Sequence, residues 1–314
     1  MLNRRHIRLK IMQYLYAAEI SDFEDTKEHY KNLNNSIHSI HYLFLLQISF
    51  LVEILKKAID KYKISQQIVG MVSDKYTNKK FSENIFLNDV ASNLNIFELL
   101  KSNLFIDWEI DYKYVNMIYD NIINSDIYDL YIKNKTNSFE DDVKFVYDFF
   151  KEIVITDEKF QTFIEEKNIY WMDDFPLVNT LLLKYLKNST KYNYEKSFYF
   201  KLFSNKSDKK YADDLAAYSL NNFEPNNKLI NKYLTNWDLE RLANVDLVII
   251  NLAITELKYF KDIPVKVTLN EYIEISKDYS TNKSSFFING ILDKIVKDLI
   301  INNSIIKEGR GLRE

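Results

Sequence analysis

The sequence predicts an all-α protein, and two observations support that prediction. Among 314 residues there are only 4 glycines and 3 prolines, whereas sheet-rich folds need turn-forming residues far more often. Apolar residues make up 46% of the chain, which is enough to bury one or two cores. We therefore expect a bundle of helices joined by short polar breaks.

The first helix is expected over residues 3 to 20. Asn3 is a favourable N-cap, and the apolar residues that follow recur on one stripe at helical spacing. Arg4 and Arg8 lie one turn apart on a shared face, with Arg5 beside them. Lys10 continues this basic cluster, which contains no acid, although the formal net charge of the whole chain is −3. Any nucleic-acid contact must therefore depend on this local patch.

The middle of the chain has a looser pattern. A long helix is expected from about 27 to 63, followed between about 70 and 140 by short amphipathic stretches without a chemical motif. Residues 144–186 and 210–252 are similar without a gap at an offset of 66, with Trp171 matching Trp237. The similarity indicates either a decayed duplication or a chance match between two amphipathic hairpins.

The last hundred residues have the clearest organisation. The run Leu247–Leu257 is apolar nearly all round, as expected of a buried central helix, and Pro264 ends it. The capping-box pattern Thr268–Glu271 predicts the start of the next helix. A polar loop, Ser280–Ser285, then leads to a final core helix at Phe286–Ile300.

Composition excludes several classes of site. The chain has no cysteine, which removes disulfides, thiolate metal sites and cysteine nucleophiles. No apolar signal core follows the basic start, and the longest apolar run, Tyr42–Leu55, is too short and too polar to span a bilayer. His38 and His41 lack a third ligand, and no histidine lies near the acids at 271, 274 and 278. We expect a cytoplasmic protein without a metal or a cofactor.

Two segments of the chain resemble the NusB family of bacterial antitermination factors. The first is Arg4–Ser21, RRHIRLKIMQYLYAAEIS, which is similar to the family's opening arginine-rich helix. The second is Leu239–Leu299, which contains in order RLANVDLVIINLAITEL, IPVKVTLNEYIEISKDYS and FINGILDKI. The resemblance covers about a third of the chain and implies a NusB-like helical bundle.

The chain departs from that family in length. A typical member is about half as long, so the resemblance implies three parts. Residues 1–64 would form N-terminal NusB-like helices, 65–205 a large helical insertion, and 206–314 a C-terminal NusB-like bundle. The internal similarity suggests that the insertion includes a degenerate repeat of a NusB-like hairpin.

The resemblance also implies RNA-binding residues. In the family the arginines of the first helix meet RNA phosphates, and Arg4, Arg5 and Arg8 match them; guanidinium groups at a helix N-terminus suit that contact. Tyr16 matches a family tyrosine that could stack on an unpaired base, or it is an aromatic at the edge of the core. The family's RNA also approaches the loop before the last helix and the start of that helix, where this chain has Lys283, Ser284 and Phe287. Phe287 matches the family's aromatic, but Lys283 stands where some members carry an acid, so the family's RNA specificity does not carry over intact. Serines there could equally be ordinary N-caps.

Other positions have a partner-binding or a structural interpretation. Asp246 stands where the family presents an acid to its ribosomal-protein partner NusE, or it caps the helix that follows. For Asn289–Gly290 we favour a structural cause, because a glycine inside a helix usually allows a neighbouring helix to approach closely. Phe286 is expected in the core.

The resulting functional expectation is a non-enzymatic RNA-binding factor. It would pair with NusE on the boxA element of ribosomal RNA leaders and assist RNA polymerase as part of an antitermination complex, with no membrane or small-molecule substrate. One alternative is a NusB-like interaction scaffold in ribosome biogenesis without RNA specificity of its own. Another is the non-catalytic module of an RNA-methylating enzyme, which the lack of a glycine-rich loop disfavours.

Overall fold

The structure is a computed structural model of the chain, and it describes residues 2–67, 74–103, 107–195, 202–203, 205–234 and 242–308. In chain order its first eight helices are α1 Arg4–Ile20, α2 Thr26–Gln67, α3 Asp74–Thr77, α4 Ile85–Ser92, α5 Leu94–Asn103, α6 Tyr112–Ile123, α7 Asp126–Lys133 and α8 Phe139–Phe149, which continues into a π-helical turn at Phe150–Val154. The remaining helices are α9 Glu158–Lys167, α10 Trp171–Asn188, α11 Lys206–Asn221, α12 Phe223–Asn231, α13 Asn244–Tyr259, α14 Val265–Tyr279 and α15 Asn282–Ile301.

The predicted all-α class is confirmed. The described residues form no strand, and their β pairing is limited to an isolated bridge between Leu2 and Phe203. Within the same residues, no helix combines the length and the apolar character that crossing a bilayer would require.

The chain divides into two compact units. Unit 1 comprises Met1–Ser36 together with Phe203–Glu314, and unit 2 comprises Ile37–Leu202. The two ends of the chain therefore belong to one unit. The three-part division at 64/65 and 205/206 stays a prediction.

Unit 1 is built around α13. Its residues 247–257 are all buried, as the apolar run predicted. Helices α1, α11, α12, α14 and α15 pack directly against α13. This arrangement brings residues near the start of the chain into contact with helices more than 200 positions later.

Helix α1 forms as predicted. Asn3 has extended backbone geometry, and its side chain accepts a hydrogen bond from the backbone N–H of His6. Ile7, Ile11 and Leu15 are fully buried on one stripe. The local signals and the packing therefore agree on where this helix begins and which face it buries.

Two predicted helix starts in unit 1 are wrong. Helix α14 begins at Val265 with Pro264 as its N-cap, so Thr268 lies inside the helix, where its hydroxyl donates to the buried carboxylate of Glu256. Thr268–Glu271 is therefore not a capping box. Helix α15 begins at Asn282 because Thr281 caps it by accepting from the N–H of Ser284, so most of the predicted polar loop is helical.

Gly290 is also explained differently from the prediction. A Cβ atom built on this residue would meet nothing within 4 Å. No close helix approach requires a glycine there, so the structural cause favoured from the sequence is wrong.

In unit 2, α8 and α9 pack against α10, and hydrogen bonds link α10 to the later part of α2. The Trp171 indole donates to the backbone oxygen of Ser39, and the Gln47 amide donates to Asn179, 2.6 Å away in the core. Aromatic rings fill much of the remaining interior, as in the stacked Tyr131 and Phe145 rings, whose centroids are 3.9 Å apart. The high Tyr and Phe content is thus largely used for packing.

Candidate RNA interface

The three arginines predicted to contact RNA occupy two different environments. The side chains of Arg4 and Arg5 are 32% and 35% exposed. Arg8 is only 2% exposed. The sequence predicts one basic face at the start of α1. In the structure that face is divided, with Arg4 and Arg5 at the surface and Arg8 in the core.

Arg8 belongs to a buried network. Its Nε and Nη2 atoms donate to the two carboxylate oxygens of Glu256, at 2.8 and 2.9 Å, and Nη1 lies 3.3 Å from Glu271. Glu256 also accepts from the hydroxyls of Tyr211 and Thr268. Burial by itself would lower the pKa of Arg8, but the hydrogen bond and charge of Glu256 outweigh it and raise the pKa.

The prediction that Arg8 contacts RNA phosphates therefore requires correction. Its donors are directed at carboxylates inside unit 1, and the guanidinium is not presented to solvent. Lys10 is likewise buried, at 3% exposure, and does not extend a surface patch. Removing Arg8 from Glu256 would leave an uncompensated buried charge, at a cost of about 3–5 kcal/mol.

Arg4 and Arg5 differ because their ion pairs are exposed. Arg4 lies 3.2 Å from Asp262 and 3.6 Å from Asp208, and Arg5 lies 2.9 Å from Asp278. Exposed ion pairs contribute only about 0.2–1 kcal/mol each. A phosphate can therefore replace these carboxylates at small cost, although the acids reduce the positive field that the sequence indicated.

The Arg5–Asp278 contact brings together the two segments that resemble NusB. Asp278 lies at the end of α14, just before the short turn that leads into α15. The start of α1 therefore lies beside this turn. This proximity could not be read from positions 273 residues apart in the sequence.

Within the described part of the chain, the start of α15 has a cation without an ion pair, Lys283, and a turn capped by Thr281. Lys283 is exposed, and its ammonium makes no ion pair with the described residues. Ser284 is half-buried, its N–H donates to the Thr281 hydroxyl, and its own hydroxyl lies 2.9 Å from that group. The N-cap is therefore Thr281 rather than either serine.

The aromatic residues of this region differ from the prediction in one respect. Phe286 is 80% exposed, so its predicted core position is wrong. Phe287 is half-buried. Tyr16 is exposed on α1. The exposed Phe286 ring is a binding candidate that the sequence analysis missed, because two adjacent phenylalanines at the start of a helix do not show which one points inward.

Asp246 is buried rather than displayed. It lies in the first turn of α13, whose N-cap is Ala243, and only 4% of it is exposed. Its Oδ1 atom has no hydrogen-bond partner among the residues that the structure describes. The capping interpretation is therefore wrong, and the predicted contact with a partner has no support from the position of this side chain.

The acids considered as a metal cluster are used in ion pairs. Glu271 contacts Arg8, Glu274 contacts Lys277, and Asp278 contacts Arg5. Across the part of the chain that the structure describes, no group of three or more histidines and acids is arranged to hold a metal ion.

Comparisons with known proteins agree on one family. The sequence profile of the NusB family matches residues 177–297. A transcription antitermination protein NusB of Salinibacter ruber is 39% identical over 106 residues, which are 34% of this chain and 66% of that protein. The corresponding protein of Thermodesulfovibrio yellowstonii is 42% identical over 95 residues, 30% of this chain and 63% of that protein. The chain thus spans just under two thirds of the length of these relatives.

A solved structure of NusB from T. maritima is also similar. The identity is 34%, the match covers 38% of this chain and 82% of that chain, and the TM-score is 0.30. The matched part of the profile contains the central helix α13 and both helices that flank the α14–α15 turn. On this sequence similarity, the chain belongs to the NusB family.

Proposed function

We propose that the protein is a transcription antitermination factor that binds boxA-type single-stranded RNA of ribosomal RNA leaders. The relatives that match it are named transcription antitermination proteins. Arg4 and Arg5 would hold phosphates, and Lys283 would add a third cation. Tyr16 and the ring at the start of α15, Phe286 or Phe287, would stack on unpaired bases.

The observation that carries this proposal is the contact of Arg5 with Asp278. At this contact the basic start of α1 lies next to the turn before α15, so cations from both segments can meet one RNA strand. Because the ion pairs of Arg4 and Arg5 are exposed, phosphate oxygens can compete for the guanidinium groups. Ser284 would act by holding the turn in shape, through its contact with Thr281.

The proposed partner is the ribosomal protein NusE, within a complex that contains RNA polymerase. Asp246 was the sequence candidate for that contact, and its burial directs the search to exposed residues of unit 1 instead. Pull-down of the cognate NusE by the full chain, with and without boxA RNA, measures this pairing. Absence of NusE under both conditions would remove it from the proposal.

The test of RNA binding uses the variant Arg4→Ala with Arg5→Ala. We expect weaker binding of boxA RNA and a salt dependence that is flatter by about 1.4, because two phosphate contacts on a single strand are lost. The measurement is a filter-binding titration at several salt concentrations. Arg8→Ala is unsuitable, since it disrupts the buried network.

The matched control is Lys228→Ala with Lys232→Ala, which removes two exposed cations of the same unit near the end of α12. This control should retain the affinity and salt slope of the unmodified chain. Equal losses in both double variants would indicate a general charge effect and would contradict the assignment of Arg4 and Arg5.

One observation favours the alternative of an interaction scaffold. Both exposed arginines already have acid partners, so the patch is less positive than the sequence indicates. A scaffold without RNA specificity would bind NusE or another partner while its affinity for boxA RNA matched that for a scrambled RNA. The same titration with scrambled RNA distinguishes the two functions.

We also propose that unit 2 contains a degenerate repeat of the helices around α13. At the offset of 66, α8 with its π-helical turn corresponds to α11, and α9 corresponds to α12. The ion pair Lys144–Asp148 has its counterpart in Lys210–Asp214. Trp237, the partner of Trp171 in the sequence comparison, lies outside the described residues.

A further inference from the structure

The C-terminal end of α10 carries cations that differ from those of α1. Lys184 and Lys187 lie one turn apart on an exposed face of this helix, and Lys191 is exposed in the turn that follows. None of the three ammonium groups forms an ion pair with another described residue. Between residues 184 and 195 the sequence contains one acid, Glu195. The three charges are therefore available to an anionic partner.

The turn after α10 is held in place. The Asn193 side chain accepts from the N–H of Thr190 at 2.7 Å, and its amide donates to the backbone oxygen of Asn188 at 3.1 Å. Lys191 and Tyr192 lie within this turn, so they stay at the end of the helix. The Tyr192 ring is 91% exposed, which leaves it open to stacking.

A groove of about 440 Å³ opens beside the same helix end, between α8 and α10. Val143, Tyr147 and Leu186 form apolar and aromatic parts of its lining, and Lys187 borders it. Lys144, which is paired with Asp148, and the exposed acid Glu140 also line it. A groove with apolar and aromatic walls suits a flat ring such as an RNA base. The unpaired ammonium of Lys187 lies at its border, where the phosphate next to that base would lie.

The helix dipole explains only part of this arrangement. A cation in the last turn of a helix is favoured by the carbonyl groups at its end, which accounts for Lys187. It does not account for Lys184 one turn earlier, or for Lys191 beyond the helix. Other lysines of unit 2, such as Lys79, Lys144 and Lys151, are paired with neighbouring acids.

We propose that Lys184, Lys187, Lys191 and Tyr192, with the groove beside them, form a second surface for single-stranded RNA in unit 2. The lysines would hold successive phosphates, Tyr192 would stack on one base, and the groove would receive another. RNA as the partner class rests on the proposed function. The surface goes beyond it by assigning unit 2 a role in binding RNA outside the boxA element.

The experiment compares two RNAs: a boxA oligonucleotide and the same oligonucleotide extended by an unstructured single strand. The variant is K184Q/K187Q/K191Q in the full chain. We expect the extension to increase affinity for the unmodified chain and to steepen its salt slope. The variant should lose this gain, with a slope lower by about 2 for three phosphate contacts on a single strand. Tyr192→Ala should reduce the gain without changing the slope.

The matched control is K56Q/K79Q/K151Q, which removes the same charge from lysines of the same unit that have acid partners and do not line the groove. It should retain the full gain. An equal loss in both triple variants, or no loss in K184Q/K187Q/K191Q, overturns the proposed surface. The proposed surface is also overturned if K184Q/K187Q/K191Q still binds RNA but no longer binds polyglutamate, because the partner would then be an acidic protein.

Failure of the proposed function gives a different pattern. If boxA and scrambled oligonucleotides bind equally weakly, yet the extended RNA binds in a manner that requires the three lysines, the unit 2 surface stands and boxA recognition does not. If boxA binding depends on Arg4 and Arg5 while the extension adds nothing, the proposed function stands and the second surface is wrong.

Discussion

The two units each bury a charged side chain, and the two charges are stabilised to different degrees. In unit 1, Arg8 contacts Glu256 directly through two hydrogen bonds. In unit 2, Asp142 accepts from the Tyr131 hydroxyl and the N–H of Ile85, while the buried Lys80 ammonium donates to the backbone oxygens of Tyr131 and Asn134. The buried carboxylate of Asp142 and the buried ammonium of Lys80 thus form no direct ion pair with each other.

The pKa values of these groups express this difference. The pKa of Arg8 is raised, which means that Glu256 favours the charged guanidinium more than burial opposes it. The pKa of Asp142 is also raised, chiefly by burial, although Tyr131 and Ile85 act against the shift. For an acid this direction means that the charged form is disfavoured. In this chain the direct counter-ion of Arg8 outweighs the effect of burial, whereas the hydrogen bonds of Asp142 do not.

The largest expected effect is that of Arg8→Met. The change leaves the carboxylate of Glu256 buried without its counter-ion, which should lower the free energy of unfolding by about 3–5 kcal/mol. Urea denaturation followed by circular dichroism measures the loss, and hydrogen exchange in α1 and α13 locates it in unit 1. A loss below 1 kcal/mol would contradict the contrast drawn between the buried charges of the two units.

The double variant Arg8→Met with Glu256→Gln should be more stable than Arg8→Met alone. Glutamine removes the unpaired charge. The hydroxyls of Tyr211 and Thr268 donate to different oxygens of Glu256, so the amide oxygen can still accept from one of them, and the other hydroxyl can accept from the amide NH2 group. Part of the loss is recovered because the penalty comes from the lone buried charge. Additive losses in the double-mutant cycle would show that packing, rather than charge, explains the effect.

Gly290→Ala changes an open surface of unit 1. It therefore tests whether the large loss of stability expected for Arg8→Met depends on burial. Nothing lies within 4 Å of the added Cβ, and alanine is favoured over glycine inside a helix by about 0.5–1 kcal/mol. The variant should therefore be more stable by that amount in the same urea titration. Asn289→Ala serves as an exposed neighbour control.

Asp142→Asn is expected to have the smallest effect at neutral pH, below about 1 kcal/mol. Because the folded pKa of Asp142 lies above its ordinary value of 3.8, the folded state binds more protons between those two values. This contribution to stability is present below pH 3.8 and is lost as the pH rises through the folded pKa. Relative to Asp142→Asn, the unmodified chain should therefore gain stability as the pH falls from 7 towards 4. A flat difference over that range would contradict the raised pKa.

The behaviour of the arginines shows how far sequence reasoning extends. Spacing correctly placed Arg4, Arg5 and Arg8 near the start of one helix. It did not reveal that Arg8 points at Glu256, because the carboxylate is 248 positions away. The acids that face Arg4 and Arg5 come from α11, from the segment between α13 and α14, and from α14, so an acid-free stretch of sequence became a partly neutralised surface.

Local signals alone were decisive where no distant residue competed with them. The all-α class, the Asn3 cap and the buried central helix could be predicted from the sequence, since these depend on periodicity and on hydrogen bonds within a few residues. The start of α14 at Val265, the open space around Gly290 and the pairing of Arg8 with a buried acid depend on tertiary structure. The physical reason is that burial and ion pairing depend on helices that meet only after the chain has folded.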